Sequence, residues 1–416
     1  MGNIEQQWRN GVSRRNALAG LAGIVAGSPL LHAQLDPRPL GEHRRTPGLS
    51  EMFTAFDFEP IMFANVKRID YDYTAHGDGS EWNLRRNRQA FDWVELVPGT
   101  PVDPASVDLS TQLLNLKLTY PVMIAPSALQ TALHPDGEAG MYRAATQSAG
   151  TPLCLSNVAS QTVEDVAKAA QGQLWWQFYP QQNLDVSRQL IERAQNAGYT
   201  GIVVTVEQQA SYYERSLRSR NLGARAGRAA ITGPWITSPN PGAAAAVDAP
   251  GPTGAPRYRI ATRRLWYTWE YLDEIRKFVK GPMIIKGIVT AEDAKLAAER
   301  GMDGIVVSNH GGRSMDYGPS TLEVLPEIVA AVDGRMAVMI DSGFRRGSDI
   351  LKALALGADA VWLGRATRWA LGAFGPPGVE RLLTDVIFKE LVYATAAAGR
   401  TTLASIDSSI VRQNWP

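Results

Sequence analysis

The sequence predicts a closed (β/α)8 barrel of the TIM type, because short apolar segments alternate with amphipathic segments from about residue 121 onward. Eight segments resemble buried strands, and seven of them precede a segment of helical length. Such alternation predicts a parallel sheet, and eight units favour closure over an open, doubly wound sheet. The predicted strands are 122–125, 152–155, 174–178, 202–206, 283–286, 304–308, 338–341 and 361–364. The predicted helices are 138–148, 163–170, 185–197, 291–300, 322–332, 348–356 and a final region after 364.

The composition limits the class of protein. The chain has 416 residues, of which 45% are hydrophobic, enough for a sizeable core. It carries 42 Lys plus Arg against 41 Asp plus Glu, so the charge indicates neither nucleic acid nor an anionic membrane as partner. The single cysteine, Cys154, excludes an intramolecular disulfide and a cysteine-based zinc site, and its apolar neighbours predict a core position. The five histidines lack metal-ligand spacing, so no metal site is predicted.

The N-terminus has the pattern of an export signal. Arg14 and Arg15 precede a weakly apolar Ala/Gly-rich stretch, and the small residue Ala33 follows it. This pattern is typical of a twin-arginine signal, which exports folded proteins. We therefore expect a signal peptide over 1–33, a linker over 34–57, a catalytic domain over 58–411 and a periplasmic location. The alternatives are an unstructured tail or a misassigned start, with a cytoplasmic protein.

An irregular segment, 218–262, lies in the connection after the fourth predicted strand. It is rich in Ala, Gly and Pro and has no hydrophobic periodicity. Long connections at this face of a barrel are either functional loops or disordered segments. A mobile lid and a disordered segment are both consistent with the composition.

Polar side chains follow nearly every predicted strand, at the end where barrel enzymes carry their sites. Glycines and arginines follow the seventh and eighth strands, which is typical of a phosphate site. The alternative is glycine-rich turns whose arginines form surface ion pairs. Lys286 ends the fifth strand and must either meet an anion or form a Schiff base. The strand-end residues are Ala125, Pro126, Ser127, Ser156, Gln177, Tyr179, Thr205, Lys286, Ser308, Asp341, Gly343, Arg345, Gly364 and Arg365.

The segment after the sixth strand places a histidine beside an arginine and a carboxylate. His310, Arg313 and Asp316 lie within seven residues, separated in part by glycines. A histidine suits proton transfer near neutral pH, and an arginine suits a carboxylate or phosphate. The segment therefore predicts a bound anion that loses a proton. The alternative is a structural histidine in a tight turn.

These segments resemble the FMN-dependent α-hydroxy acid dehydrogenases and oxidases, the family of glycolate oxidase, flavocytochrome b2 and mandelate dehydrogenase. The resemblance runs from about residue 58 to 411. Its most specific part is Ser-Asn-His-Gly-Gly-Arg at 308–313, followed by Asp316. Further matches are the segments 285–294, 124–126, 155–156 and 71–77.

The resemblance implies roles for the substrate-side residues. His310 would be the general base, and Asp316 would orient or stabilise its protonated form. Arg313 would clamp the substrate carboxylate, and Tyr73 would donate a hydrogen bond to it. Tyr179 would lie near the substrate hydroxyl.

The resemblance also implies an FMN cofactor. Lys286 would lie by the N1–C2=O edge of the flavin and stabilise its reduced, anionic form. Ser156, Gln177 and Thr205 would bond to the ring, with Ser308, Asp341 and Gly343 also in the cofactor site. The backbone of Ala125, Pro126, Ser127 and Ala128 would approach N5, and Arg345, Gly364 and Arg365 would bind the phosphate.

The implied activity is oxidation of an L-2-hydroxy acid, lactate-like or bulkier, to the 2-oxo acid. The sequence has no Cys-x-x-Cys-His haem motif, so electrons would pass to a separate acceptor: a quinone, a cytochrome or O2. The family implies a homo-oligomer, a tetramer. An O2-using oxidase is the close alternative, and a flavin-dependent isomerase or flavin-binding protein is the distant one.

The chain departs from the family pattern at four places. Glu207 stands where an aspartate is usual, and Tyr213 or Glu214 stands where a second substrate-binding arginine is expected. Val158 replaces a large aromatic residue, which predicts a wider pocket. Ser342 replaces a glycine in the phosphate loop. These departures bear on the substrate rather than on the fold.

Overall fold

The computed structural model describes residues 45–181, 183–207 and 268–416, and residues 48–416 belong to one compact unit. Eight parallel strands, from Val122–Ile124 to Ala360–Leu363, close a barrel in chain order, and the last strand pairs with the first. The predicted (β/α)8 barrel is confirmed. The strands are β1 Val94–Leu96, β2 Thr111–Leu113, β3 Leu116–Leu118, β4 Val122–Ile124, β5 Leu153–Ser156, β6 Leu174–Phe178, β7 Gly201–Thr205, β8 Met283–Ile288, β9 Gly304–Val307, β10 Ala337–Ile340, β11 Ala360–Leu363 and β12 Val411–Gln413.

Helices follow the barrel strands at nearly the predicted places. Most observed boundaries lie within two residues of the predictions, because apolar periodicity locates an element better than it locates its ends. The helices are α1 Phe58–Asn65, α2 Arg68–Ala75, α3 Trp82–Gln89, α4 Gly137–Ala149, α5 Val163–Lys168, α6 Leu184–Asn196, α7 Trp269–Arg276, α8 Ala291–Glu299, α9 Thr321–Val332, α10 Gly347–Ala355, α11 Arg365–Phe374, α12 Pro376–Arg381 and α13 Lys389–Ala397, with a π-helical turn over Leu382–Phe388 between the last two.

Local sequence explains where several helices begin. The Thr162 hydroxyl accepts from the Asp165 amide at the start of α5, and Thr290 does the same for Asp293 at the start of α8. Ser320 and Glu323 form a reciprocal capping box at the start of α9. Each cap satisfies backbone N–H groups that have no partner inside the helix.

The barrel interior changes character along the strands. Cys154, Trp175 and Ile284 belong to a buried apolar layer in the middle of the barrel, and the predicted core position of Cys154 is confirmed. Two residues further along the same strands lie Ser156, Gln177 and Lys286. Successive side chains of a strand point to opposite faces, so residues two apart face the same interior. One inward-facing row therefore fills the core, and the next lines the mouth.

A β-hairpin covers the opposite end of the barrel. Strands β2 and β3 pair antiparallel, and Leu113, Leu116 and Leu118 pack into the same apolar cluster as the barrel interior. The sequence analysis did not predict this hairpin. Its short strands lie before the alternating pattern begins.

Three helices precede the barrel and were not predicted either. Helix α1 packs on α11, with the Asn65 Nδ2 donating to the carbonyl of Ala373 at 2.9 Å. Strands β1 and β12 pair antiparallel and bring the end of the chain back to this region. None of the described helices is long and apolar enough to cross a membrane. The proposed signal (1–33), residues 34–44 of the linker and the irregular segment (218–262) lie outside the described residues.

Candidate active site

A cavity of about 1100 Å³, part of it open to solvent, lies at the C-terminal ends of the barrel strands. Of the residues predicted for the site, only Ser308 and Asp316 are absent from the described lining. The structure therefore gathers residues that are far apart in sequence around one space. The predicted residues that line it are Tyr73, Ala125, Pro126, Ser127, Ala128, Ser156, Gln177, Tyr179, Thr205, Lys286, His310, Arg313, Asp341, Gly343, Arg345, Gly364 and Arg365.

His310 lies in the turn after β9, with its backbone in the left-handed region at φ 57°. Its amide donates to the Ser308 hydroxyl at 3.1 Å, and its ring Nδ1 lies 2.9 Å from Glu207 Oε1. Burial and the Lys286 ammonium lower the pKa of His310 below its usual range, although Glu207 acts in the opposite direction. The ring is therefore neutral at pH 7, as a general base must be.

Glu207 decides which ring nitrogen of His310 carries the proton. Burial would raise the pKa of Glu207, but Lys286 and His310 lower it well below its usual range. An ionised carboxylate can only accept, so it fixes the proton on Nδ1 and leaves the lone pair of His310 on Nε2. The contact between Glu207 and His310 Nδ1 therefore orients the imidazole ring and selects its tautomer.

Asp316 does not have the position that the sequence analysis expected. Its carboxylate accepts from the amides of Ser80 at 2.6 Å and Trp82 at 3.0 Å, at the start of α3. These backbone hydrogen bonds lower its pKa in spite of partial burial. As a correction, the carboxylate that contacts His310 is Glu207, and Asp316 fastens the segment before α3 to the loop after β9. The spacing of six residues from His310 could not show this, because the turn carries Asp316 away from the ring.

Lys286 forms the centre of a buried charge cluster on the cavity floor. Its Nζ donates to Glu207 Oε1 and, at 2.9 Å, to the Ser308 hydroxyl, and it lies 3.5 Å from Asp341 Oδ2. Burial alone would lower the pKa of Lys286, but the two carboxylates raise it above the usual range. The ammonium therefore stays charged, which argues against a Schiff base because a neutral amine is needed for that chemistry.

Arg313 and Tyr73 meet at one side of the cavity. The Arg313 guanidinium carbon lies 4.9 Å from the centroid of the Tyr73 ring, an arrangement that holds the cation by its attraction to the ring face. Tyr73 belongs to α2, far from Arg313 in sequence. Tyr179 follows β6, lines the same cavity and is buried. The three residues assigned to the substrate therefore share one space with His310.

The two arginines predicted for a phosphate are held differently. Arg345 is buried, lies 4.3 Å from the centroid of the Trp369 ring and donates through Nη1 to the carbonyl of Phe344 at 2.7 Å. Burial and the neighbouring Arg88 lower its pKa to about 10, so it remains a cation at pH 7. Arg365 instead donates to the carbonyls of Thr74, Gly311 and His76, at 2.7–2.9 Å. Its side chain ties three segments together.

Helix α11 offers a second kind of anion contact at the same place. It begins at Arg365 directly after Gly364, and both residues line the cavity. The first N–H groups of a helix have no partner inside it and favour an anion. Arg365 thus fits the phosphate site through its backbone rather than through its guanidinium.

Several buried polar atoms along the cavity have no hydrogen-bond partner among the residues that the structure describes. They include Gln177 Nε2, Thr205 Oγ1 and Arg345 Nε. Unpaired buried polar atoms are costly, so such a row indicates a bound molecule that supplies donors and acceptors. Gln177 and Thr205 suit the polar edge of a flavin, and Arg345 with the start of α11 suits its phosphate. The residues therefore fit FMN.

The sequence analysis missed two groups that the structure brings into the site. Glu207 was noted at the end of the fourth strand and as a departure from the family pattern but was given no role, and Arg368 was not considered. Arg368 lies three residues after Arg365 on α11 and therefore on the same helix face, also lining the cavity. The three-residue spacing from Arg365 could have indicated from the sequence that Arg368 lies at the site.

Comparison with known proteins also indicates an FMN-binding enzyme. A model of the family described as FMN-dependent dehydrogenase matches residues 63–413. The chain belongs to this family. It is 36% identical to glycolate oxidase 1 of Oryza sativa subsp. indica over 361 residues, which is 86% of this chain and 95% of that relative. It is 34% identical to glycolate oxidase of Spinacia oleracea over 368 residues, 88% of this chain and 97% of that relative.

Solved structures of similar fold agree. Mandelate oxidase with (S)-2-phenylpropionate matches with a TM-score of 0.73 and 32% identity, covering 86% of this chain and 98% of that one. A mutant of an active chimera of (S)-mandelate dehydrogenase matches with a TM-score of 0.76 and 31% identity, covering 87% and 100%. This FMN-dependent dehydrogenase family member is thus an oxidoreductase that acts on CH–OH donors, with FMN as its cofactor, and both expectations are confirmed.

Proposed function

We propose that this enzyme oxidises an L-2-hydroxy acid to the 2-oxo acid, with His310 as base and Arg313 as carboxylate anchor. The observation that carries the proposal is the contact of His310 Nδ1 with Glu207 at 2.9 Å in the same cavity as Arg313 and Tyr73. The contact leaves a lone pair on Nε2, and the arginine supplies the countercharge for a carboxylate. A base and an anion anchor in one space are what the removal of a proton beside a carboxylate requires.

The proposed roles follow from what each group can do. Arg313 and the Tyr73 hydroxyl hold the carboxylate, which fixes the substrate carbon relative to His310. His310 Nε2 takes the proton from the hydroxyl or the α-carbon of the substrate. Glu207 then stabilises the resulting imidazolium. Tyr179 lies by the substrate hydroxyl. When bound, FMN supplies the two-electron acceptor that no side chain can provide.

We further propose that the substrate carries a side chain bulkier than that of lactate. Val158 lines the cavity at the position where the family resemblance expects a large aromatic residue. A valine leaves more space at this wall. The relatives named for glycolate and for mandelate show that substrates of different size occur among similar proteins.

The decisive experiment is anaerobic mixing of the purified flavoprotein with a panel of L-2-hydroxy acids that spans small, branched and aromatic side chains. We expect bleaching of the flavin absorbance, fastest with a bulky member. Failure of every member to bleach the flavin would favour a flavin-dependent isomerase or a flavin-binding protein instead. The D enantiomers serve as matched controls.

The electron acceptor, the assembly and the location are part of the proposal. We propose a separate acceptor (a quinone or a cytochrome rather than O2), a homotetramer and twin-arginine export. Reoxidation rates with O2 and with a soluble quinone separate a dehydrogenase from an oxidase, and light scattering gives the assembly. Replacement of Arg14 and Arg15 by lysine should retain the protein in the cytoplasm, and continued export would refute this signal.

A further inference from the structure

Arg368 is fixed in the wall of the active-site cavity by neutral acceptors. It is only 5% exposed, and its Nε and Nη2 donate to the Thr74 hydroxyl at 3.1 and 3.0 Å. Its Nη1 donates to the carbonyl of Ala128. Thr74, Ala128 and Arg368 all line the cavity. The guanidinium therefore has a defined orientation at the edge of the space that we assign to the substrate.

Among the described residues, the hydrogen-bond partners of Arg368 are all uncharged. Within the described part of the chain, no carboxylate oxygen lies within 4.0 Å of its nitrogen atoms. Burying a cation without a counter-ion is costly, and burial lowers the pKa of Arg368 to about 10. The group is still charged at pH 7. A bound anion would offset this cost.

Two guanidinium groups converge on the ring of Tyr73. The Cζ atom of Arg313 lies 4.9 Å from the ring centroid, and the Cζ atom of Arg368 lies 5.7 Å from it. The ring face attracts each cation, but the charge of Arg313 lowers the pKa of Arg368, so the two cations repel each other. An anion bound in the cavity that both side chains line would relieve this repulsion. Two cations around a phenol that can donate a hydrogen bond form a site for a carboxylate.

We propose that Arg368 is a second substrate-binding arginine, which holds the carboxylate of the 2-hydroxy acid together with Arg313. This inference rests on the proposed function. A guanidinium has five N–H groups, and the three hydrogen bonds of Arg368 leave two for the substrate. The role would replace that of the arginine which the family resemblance expects near Tyr213 and Glu214, outside the described residues. The convergence with Arg313 favours one shared carboxylate over a second acidic group at the far end of the substrate.

The test compares a charged ligand with a neutral one. Arg368→Met, Arg368→Gln and Arg368→Lys are prepared as FMN-loaded full-length proteins. Arg381→Met is the matched control, because Arg381 is an arginine on α12 that pairs with Asp385 away from the cavity. For each variant, kcat and KM are measured for an L-2-hydroxy acid and for its uncharged amide. The dissociation constant of oxalate, a carboxylate that has no C–H bond to oxidise, is measured by titration of the flavin spectrum.

We expect Arg368→Met and Arg368→Gln to raise KM for the acid and the dissociation constant of oxalate by about 10- to 100-fold, the range for a lost charge-assisted hydrogen bond. The values for the amide, the FMN content and the control should stay unchanged. Arg368→Lys should recover part of the loss, and it decides the question if the neutral variants do not fold. Its effect should again fall on the acid and not on the amide.

Other results would overturn the inference. Equal changes for the acid and the amide would show a structural role. An effect confined to dicarboxylic hydroxy acids would place Arg368 at a distal acidic group. Unchanged oxalate binding in all three variants would remove Arg368 from the carboxylate site. If no hydroxy acid bleaches the wild-type flavin, the proposed function fails, and oxalate binding still tests Arg368 separately.

Discussion

The two ends of the barrel use the same backbone pattern for opposite purposes. At the N-terminal end, Leu116 and its neighbours from the β2–β3 hairpin close the interior with apolar side chains. At the C-terminal end, the interior carries Lys286, Glu207 and His310, with arginines around them. The apolar end gains stability from burial, whereas the polar end holds a buried ion-pair cluster and arginines that favour a bound anion. The difference shows that the C-terminal end binds ligands and that the N-terminal end stabilises the fold.

The largest effect should come from His310→Gln, which keeps a polar side chain but removes the base. We expect flavin reduction by the best hydroxy acid to slow by about 10²- to 10⁴-fold, the usual contribution of a general base. FMN content should not change, since no cofactor contact is assigned to the ring. Stopped-flow absorbance under anaerobic conditions measures the rate. Reduction at the wild-type rate would exclude His310 as the base.

The same side chain determines the expected pH dependence. The pKa of His310 is lowered in the folded protein, so the ring is neutral through the neutral range and becomes protonated only at lower pH. The rate of flavin reduction should therefore stay level from the neutral range down through pH about 6.5, the usual histidine pKa, and fall only as the pH approaches about 4. A fall centred near pH 6.5 would contradict the lowered pKa.

The next effect is expected from Glu207→Gln, which leaves a buried ammonium and the base without their carboxylate. Breaking a buried pair by removing one partner costs about 3–5 kcal/mol of stability. The rate of reduction should fall as well, because an uncharged amide does not stabilise the imidazolium and can bond to either tautomer of His310. Urea unfolding and stopped-flow reduction measure the two effects. Glu207→Asp is the matched control because it keeps the negative charge. It should lose less stability and less of the reduction rate than Glu207→Gln.

A third change tests the supporting end alone. Leu116 is fully buried in the hairpin, and Leu116→Ala should destabilise the protein by about 2–5 kcal/mol through lost burial and a cavity. KM and kcat of the protein that remains folded should not change. Gln112→Ala, on the exposed side of the same hairpin, is the control. A large change in KM for Leu116→Ala would show that the two ends are not separable.

The smallest effect should come from a change at Ser342, which follows β10 and has a left-handed backbone at φ 80°. Its hydroxyl donates to Asp341 Oδ1 at 2.6 Å and accepts from the Gly311 amide at 2.9 Å. Ser342→Ala keeps the strained backbone and loses both bonds, whereas Ser342→Gly also relieves the strain. Ser342→Ala should therefore be less stable than Ser342→Gly by about 1 kcal/mol, measured by urea unfolding. Equal stabilities would show that the backbone is not strained there.

Much of the fold could be predicted because it depends on local pattern. Short apolar segments located the eight barrel strands, helical repeats located most helices, and the polar strand ends located the cavity. The hairpin and the three leading helices were missed because their segments are short and lack the repeating pattern. Their stability comes from packing against the barrel, which sequence spacing does not show.

The site could be predicted as a set of residues but not as a set of contacts. Proximity in sequence suggested Asp316 as the partner of His310, yet the contact is made by Glu207, 103 residues away. The sequence predicted that the Arg365 side chain binds the phosphate. In the structure, its guanidinium donates to three backbone carbonyls instead. In both cases the deciding contacts join segments that are far apart in the sequence.

The sequence by itself determined the barrel, the family, the flavin and the proton-transfer segment around His310, because these depend on residue types and on periods along the chain. Only the tertiary structure decided that Glu207 orients the base, that Lys286 stays charged between two carboxylates and that Arg368 joins Arg313 at Tyr73. The physical reason is that hydrogen bonds and charge interactions depend on distances of a few ångströms. Such distances are set when the closed barrel brings eight strand ends to one mouth.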